Sequence, residues 1–158
     1  MFRKSDYVMH ESYGVCQIVD ITNDDSDKTF YILKPVNDNL IIKTLAQNKR
    51  VLFRKVLNIN QINNIIELMP SVEPIWISDA KKRNKKFKEL LGTGKFKDLI
   101  RIIKSFHLEY KENNPNKKKM TISDKDILTS AKKRLYEEFS FVLNIPSHQV
   151  EEYILSHI

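Results

Sequence analysis

The apolar pattern of this chain changes period once, near Asn58, and that switch separates a strand-forming part from a helix-forming part. Before it, short runs rich in β-branched and aromatic residues are divided by polar turns. Asp6–His10, Val15–Ile21, Thr29–Pro35, Leu40–Leu45 and Val51–Val56 read as five strands. In the second, Val15, Gln17, Val19 and Ile21 alternate with Cys16, Ile18 and Asp20, as two faces of a strand do. Glu11–Gly14, Thr22–Asp27 and Asn37–Asn39 supply the turns. Five short strands with tight turns within residues 1–57 predict a small, strongly bent antiparallel barrel.

After Asn58 the spacing is helical. Ile59, Ile62, Ile65, Ile66 and Met69 form one stripe, which Pro70 ends. Ser71–Pro74 reads as a linker. Ser78 or Asp79 caps a second helix, and Gly92 or Gly94 ends it. Within it, Ala80, Phe87, Leu90 and Leu91 share one face, while Lys81, Lys82, Lys85, Lys86 and Lys88 spread over the others. A third helix follows Gly94, with Phe96, Leu99, Ile100, Ile103 and Phe106 on one side. Residues 112–119 are a polar loop. Ser123 with Asp126 resembles a capping box opening a longer helix, striped by Ile127, Leu128, Ala131, Leu135, Phe139 and Val142. Pro146-Ser147 starts the last helix, with Val150, Tyr153, Ile154 and Ile158 inward. The expected fold class is α+β: an antiparallel β-barrel over residues 1–57, then an all-α domain over residues 58–158.

The net charge of +7 bears on function through its distribution. Residues 1–58 carry nine Lys or Arg against seven Asp or Glu. Residues 79–104 carry ten against three, and residues 135–158 have four Glu and no Lys or Arg. The basic excess is thus a local patch, of the kind that meets a polyanion. A single cysteine, Cys16, excludes an internal disulfide and fits a reducing cytoplasm. No apolar run approaches a membrane span, and Met1–Asp6 has no apolar signal core behind it, so a cytoplasmic protein without membrane contact is expected.

Catalysis is not expected. His10, His107, His148 and His157 are scattered without metal-ligand spacing, and Cys16 has no base nearby in sequence. The chain has three glycines and no phosphate-cradling loop. No cofactor, metal or small-molecule substrate is therefore anticipated. Glu137-Glu138 and Glu151-Glu152 read as solvent-facing helix residues.

Several segments recur in a recognisable order: Asp6-Tyr7-Val8-Met9-His10, Tyr13-Gly14-Val15, Phe30-Tyr31-Ile32-Leu33, Arg83, Gly94, Ile100 to Ile103, and Ala131 to Glu138. That ordered set resembles the CarD/CdnL family of bacterial RNA polymerase-binding transcription regulators, and the resemblance covers nearly the whole chain. It implies a Tudor-like N-terminal barrel, shared with the transcription-repair coupling factor, that docks on the polymerase β subunit. It also implies a helical domain that contacts promoter DNA at the upstream edge of the bubble without reading sequence, and so stabilises the open complex.

Residue by residue, the resemblance assigns the polymerase contact to Leu40, Ile41, Ile42 and Lys43. It places Lys82, Arg83, Lys85 and Lys125 at positions that are commonly basic and near DNA; Lys81 and Lys86 join them by clustering. The sequence departs from the family pattern at Thr44-Leu45, where Val-Pro is usual, and at Leu52-Phe53-Arg54, where Gly-Leu-Arg is usual. Ala80 holds the register where many members have Trp, and Trp76 lies one turn earlier. Each assignment has a plainer counterpart. Leu40 and Ile42 could fill the barrel core with Lys43 solvated, the lysines could form an ordinary solvated face, and Trp76 is either a wedge into DNA or a packing residue. For the whole chain, the alternatives are a free-standing nucleic-acid-binding protein and a protein–protein adaptor.

Overall fold

The structure, a computed structural model, describes residues 1–48 and 53–156. Val51 and Leu52 of the expected fifth strand, and His157 and Ile158, lie outside the described residues. The first part is a five-stranded antiparallel sheet of β1 (Tyr7–His10), β2 (Gly14–Asn23), β3 (Thr29–Pro35), β4 (Ile42–Leu45) and β5 (Phe53–Lys55), in the order β4-β3-β2-β1-β5. The register pairs Val8 with Cys16, Ile18 with Leu33, and Tyr31 with Thr44. A bulge at Val19, between Ile18 and Asp20, bends β2. Val8, Cys16, Ile18, Tyr31 and Leu33 form its core.

The strongly bent antiparallel sheet is as expected, but its closure into a barrel is not seen among the described residues. No ladder joins β4 to β5 among the described residues, and the sheet stays open. It is nevertheless tightly coiled. Phe53 on β5 meets Tyr31 on β3 edge-on, with ring centroids 5.7 Å apart, and Phe2 packs on both rings. Flat strands three steps apart would be roughly 14 Å from each other. Aromatic contacts thus draw the seam together where strands of four and three residues make no hydrogen-bonded closure.

The second part comprises α1 (Ile59–Leu68), α2 (Ala80–Thr93), α3 (Phe96–His107), α4 (Ile122–Leu143) and α5 (Ser147–Leu155). A π-helical turn, Leu108–Glu112, extends α3. Asn58 and Gln61 close a reciprocal capping box on α1. Ile62 and Ile66 are buried there, while Ile59 faces solvent. Asp79 accepts the Lys82 amide at the start of α2, and Gly94 ends that helix with a left-handed φ of 64°. At α4 the cap is Thr121, which accepts the Asp124 amide, in place of the expected Ser123–Asp126 box; the helix starts earlier than its polar composition suggests. The helices share two cores. Ile62, Ile66, Ile100, Leu135, Phe139 and Val150 build one, and Phe87, Leu90, Leu99, Ile102, Phe106 and Ile127 the other.

Sheet and helices meet along β5, β2 and α4. Glu138, expected to face solvent, is 0% exposed. Its carboxylate takes both terminal nitrogens of Arg54, at 2.7 and 2.6 Å, and the Leu57 amide at 3.0 Å. The Arg54 guanidinium also lies 4.7 Å over the Phe96 ring. Beside this pair, Tyr7 packs on Phe141 at 4.8 Å. Gly14 has a φ of 70°, which a residue with a Cβ rarely adopts, and it lies against the Glu137 carboxylate on α4.

Removing one partner of a buried ion pair leaves the other uncompensated, at about 3–5 kcal/mol when burial is complete. Because the Arg54 side chain is 42% exposed, Arg54→Met is expected to cost less than that, about 2 kcal/mol, with the carboxylate keeping the Leu57 amide. Arg54→Met with Glu138→Met is expected to cost less than Arg54→Met alone. Urea unfolding midpoints of the three chains check this. A double variant no better than the single one would show that the carboxylate tolerates isolation.

Candidate polymerase and nucleic-acid interfaces

Among the described residues, strand β4 pairs with β3, through Ile32 with Lys43 and Leu33 with Ile42. Its far side is a sheet edge, with backbone groups available to a partner strand among the described residues. The expected strand is shorter than its apolar run: Leu40 and Ile41 precede it and are 48% and 62% exposed. Ile42 packs half-buried against the sheet core. Lys43 is exposed, with its ammonium 4.5 Å over the Phe30 ring. The structure therefore brings Leu40, Ile41 and Lys43 together at one open edge. Strand alternation would put Leu40 inward, and the late start of β4 is what exposes it.

The basic side chains gather elsewhere. Lys81, Lys82, Lys85, Lys86 and Lys88 are all exposed on α2, and Lys125 is exposed one turn into α4. Lys81, Lys85 and Lys88, with Ala80 and Asn84, line a groove whose other wall is Thr121 and Ser123. Those two residues stand at the N-terminus of a 22-residue helix, whose aligned peptide dipoles add partial positive charge. No acidic residue interrupts α2 between Ala80 and Lys88. Both walls therefore favour an anion, and flexible ammonium groups suit phosphates better than base edges.

Arg83 does not belong to that face. It is 5% exposed, and its guanidinium grips Asp124 through Nε at 3.3 Å and Nη2 at 2.8 Å. Its Nη1 donates to the carbonyls of Ile77 and Ser78. The expectation that Arg83 meets phosphate is corrected: one residue in from Lys82, the helix turns this side chain toward α4, where its donors are spent. Trp76 completes the assembly. Arg83 lies 4.6 Å over its ring, and Phe106, Tyr110 and Phe87 surround it at 5.8, 5.6 and 6.4 Å. Trp76 is half-buried, with most of its aromatic surface committed to packing. The Tyr110 hydroxyl donates to Asp124 Oδ2 at 3.3 Å; burial and then the Asp124 charge raise the pKa of that phenol. Asp124 and Tyr110 were not legible as partners, since one looks like a helix-start acid and the other like a loop aromatic.

Other reactive groups are held inertly. Burial, and next Glu137, push the Cys16 thiol up to about 11. His10 is buried, accepts the Ser12 amide on Nδ1 at 3.0 Å, and is lowered below its ordinary value by desolvation. A concavity of about 540 Å³ lies between α3, α4 and α5. Its charged residues are largely matched already: Lys104 donates to the carbonyls of Met69, Pro70 and Val72, and Lys132 pairs with Glu151. Little is left there to select a polar ligand.

Residues 2–57 match the CarD-like/TRCF RID domain, and residues 64–155 match the CarD C-terminal domain. The first match ends within the β5–α1 connection, and the second begins inside α1. No individual curated protein matches the chain.

If Trp76 acts chiefly as packing, Trp76→Ala should cost about 2–3 kcal/mol, below the value for a fully buried ring because its exposure is intermediate. Urea unfolding measures this. An unchanged midpoint would mean that the ring is free for a partner.

Proposed function

The chain belongs to the CarD family of RNA polymerase-interacting transcription regulators, and from that premise we propose that it bridges the polymerase β subunit and promoter DNA. In this reading the β4 edge, with Leu40, Ile41, Ile42 and Lys43, docks on the β subunit. Lys81, Lys82, Lys85 and Lys86 on α2, with Lys125 on α4, hold DNA phosphates without reading bases. Contact at the edge of the bubble then slows its closure and stabilises the open complex. Chemistry is not required of the protein, which works in the cytoplasm where polymerase meets the nucleoid. Among the described residues, no helix is long and apolar enough to cross a membrane.

The observation that carries the proposal is the division of labour between the two sheet edges. Strand β5 holds the helical part through Arg54 and Glu138, while β4 lies at the opposite end of the sheet. A partner strand added to β4 does not compete with the junction. The buried pair also couples the two surfaces mechanically, so that binding at one raises the effective concentration of the other.

The direct test is capture of RNA polymerase by the immobilised full chain. Wild type should retain the enzyme through its β subunit, and Lys43→Glu should reduce retention roughly tenfold by placing like charges together. Failure of the wild-type chain to retain polymerase would remove the bridge and leave a free-standing nucleic-acid binder. For the DNA side, Lys82→Ala should weaken binding alike on unrelated duplexes and flatten the salt dependence by about one unit. An unchanged slope would take Lys82 out of the phosphate contact.

A further inference from the structure

The helical part has two cores, and the cavity of about 540 Å³ lies between them. Its wall takes Ile100, Leu135 and Ile154 from the first core, and Phe106, Tyr110 and Leu128 from the second. Ile103 packs on both. Native interiors are filled to the density of an organic solid, so a gap of this size between two cores is normally closed by larger side chains. Here one wall is the π turn Leu108–Glu112, closed by the Asn113 amide on the Leu108 carbonyl at 2.8 Å. Such turns are rare and recur at functional sites, and this one brings Leu108 and Tyr110 to the cavity. Three polar side chains on the wall are already engaged. The Lys104 ammonium donates to three carbonyls, Lys132 pairs with Glu151 at 3.2 Å, and Tyr136 hydrogen-bonds the same carboxylate. Burial, and next the Glu151 charge, raise that phenol above its ordinary value, so it stays neutral. Lys111 and Glu112 are exposed where the cavity meets solvent.

We propose that this cavity is a binding site for a small, neutral, hydrocarbon-like molecule that bridges the two cores. Its volume lies within the range of small-molecule sites, which favour clefts between helices lined mainly by apolar side chains. A partner helix does not fit. One helical turn with its side chains, about 10–12 Å across and 5.4 Å tall, already takes up the space. An anionic ligand meets lysines that are committed to carbonyls and to Glu151, whereas a neutral one gains from the apolar wall alone. A molecule seated there touches Tyr110, whose ring packs 5.6 Å from Trp76 and whose hydroxyl holds Asp124. It therefore supports the Arg83–Asp124 tie between α2 and α4. The inference is independent of the polymerase and DNA readings, since none of the residues assigned to those contacts lines the cavity.

The experiment titrates the full chain with the neutral dye N-phenylnaphthylamine, whose emission rises in apolar surroundings, and displaces it with decanol or decanoate. Wild type is expected to bind the dye saturably, to release it to decanol, and to melt at a higher temperature with the dye bound, as a ligand of the native state requires. Decanoate is expected to compete roughly tenfold less well than decanol, because its charge finds no free partner. Leu128→Trp and Met120→Trp add bulk to the wall and are each expected to weaken dye binding roughly tenfold or more. Urea unfolding shows that each variant is folded. Met120 precedes α4 and is half-buried, so its replacement serves even where Leu128→Trp does not fold. Undiminished dye binding by a folded variant overturns the inference. So does the absence of a saturable signal with wild type, and so does decanoate that displaces the dye better than decanol.

Discussion

A carboxylate with no access to water has to be matched, and Glu138 is that carboxylate. Its match, two guanidinium nitrogens and one backbone amide, comes entirely from the end of the sheet and the connection that follows. The position of the sheet on the helices follows from this. With Arg54 held on α4, Tyr7 falls against Phe141, and the β1–β2 turn comes up against the Glu137 side chain. The geometry uses one sheet edge for the junction and leaves the outer side of β4 without a strand partner among the described residues. Two surfaces carried on one frame are what the proposed bridge requires.

A second buried pair organises the helical part in the same way. Arg83 and Asp124 tie α2 to α4, and the same guanidinium fixes the segment before α2 through two carbonyls and the Trp76 ring. One member of a dense basic cluster is thereby turned into structure. Its neighbours gain a defined direction: Lys81, Lys85 and Lys88 are left along a groove facing the start of α4. Buried pairs of this kind add less to net stability than their short distances suggest, since desolvation offsets most of the attraction. What they contribute here is geometry, because few arrangements of the helices satisfy both carboxylates at once.

The two acids were hidden in plain view. Asp124, Ile127, Ala131, Leu135 and Glu138 recur at steps of three and four, so both carboxylates lie in register with the buried stripe of α4. Reading by residue type discounts them, since Asp and Glu are rarely buried unless paired. Their register was the available signal. Their partners were not visible, because Arg54 and Arg83 lie 84 and 41 residues away and look like any other basic residue of a basic chain.

What the sequence determined by itself is what depends on neighbours a few residues apart. The change from alternating to helical spacing near Asn58 marks the passage from sheet to helices, and Asp79 and Gly94 bound α2 because capping uses only the adjacent backbone. The clustering of lysines on α2 follows from composition and the helical repeat. The coiling of the open sheet, the outward turn of Leu40 and Ile41, and the burial of Arg83 and Glu138 were decided by tertiary structure. Each depends on distances between segments remote in the chain, and on whether a side chain finds a partner there or meets water.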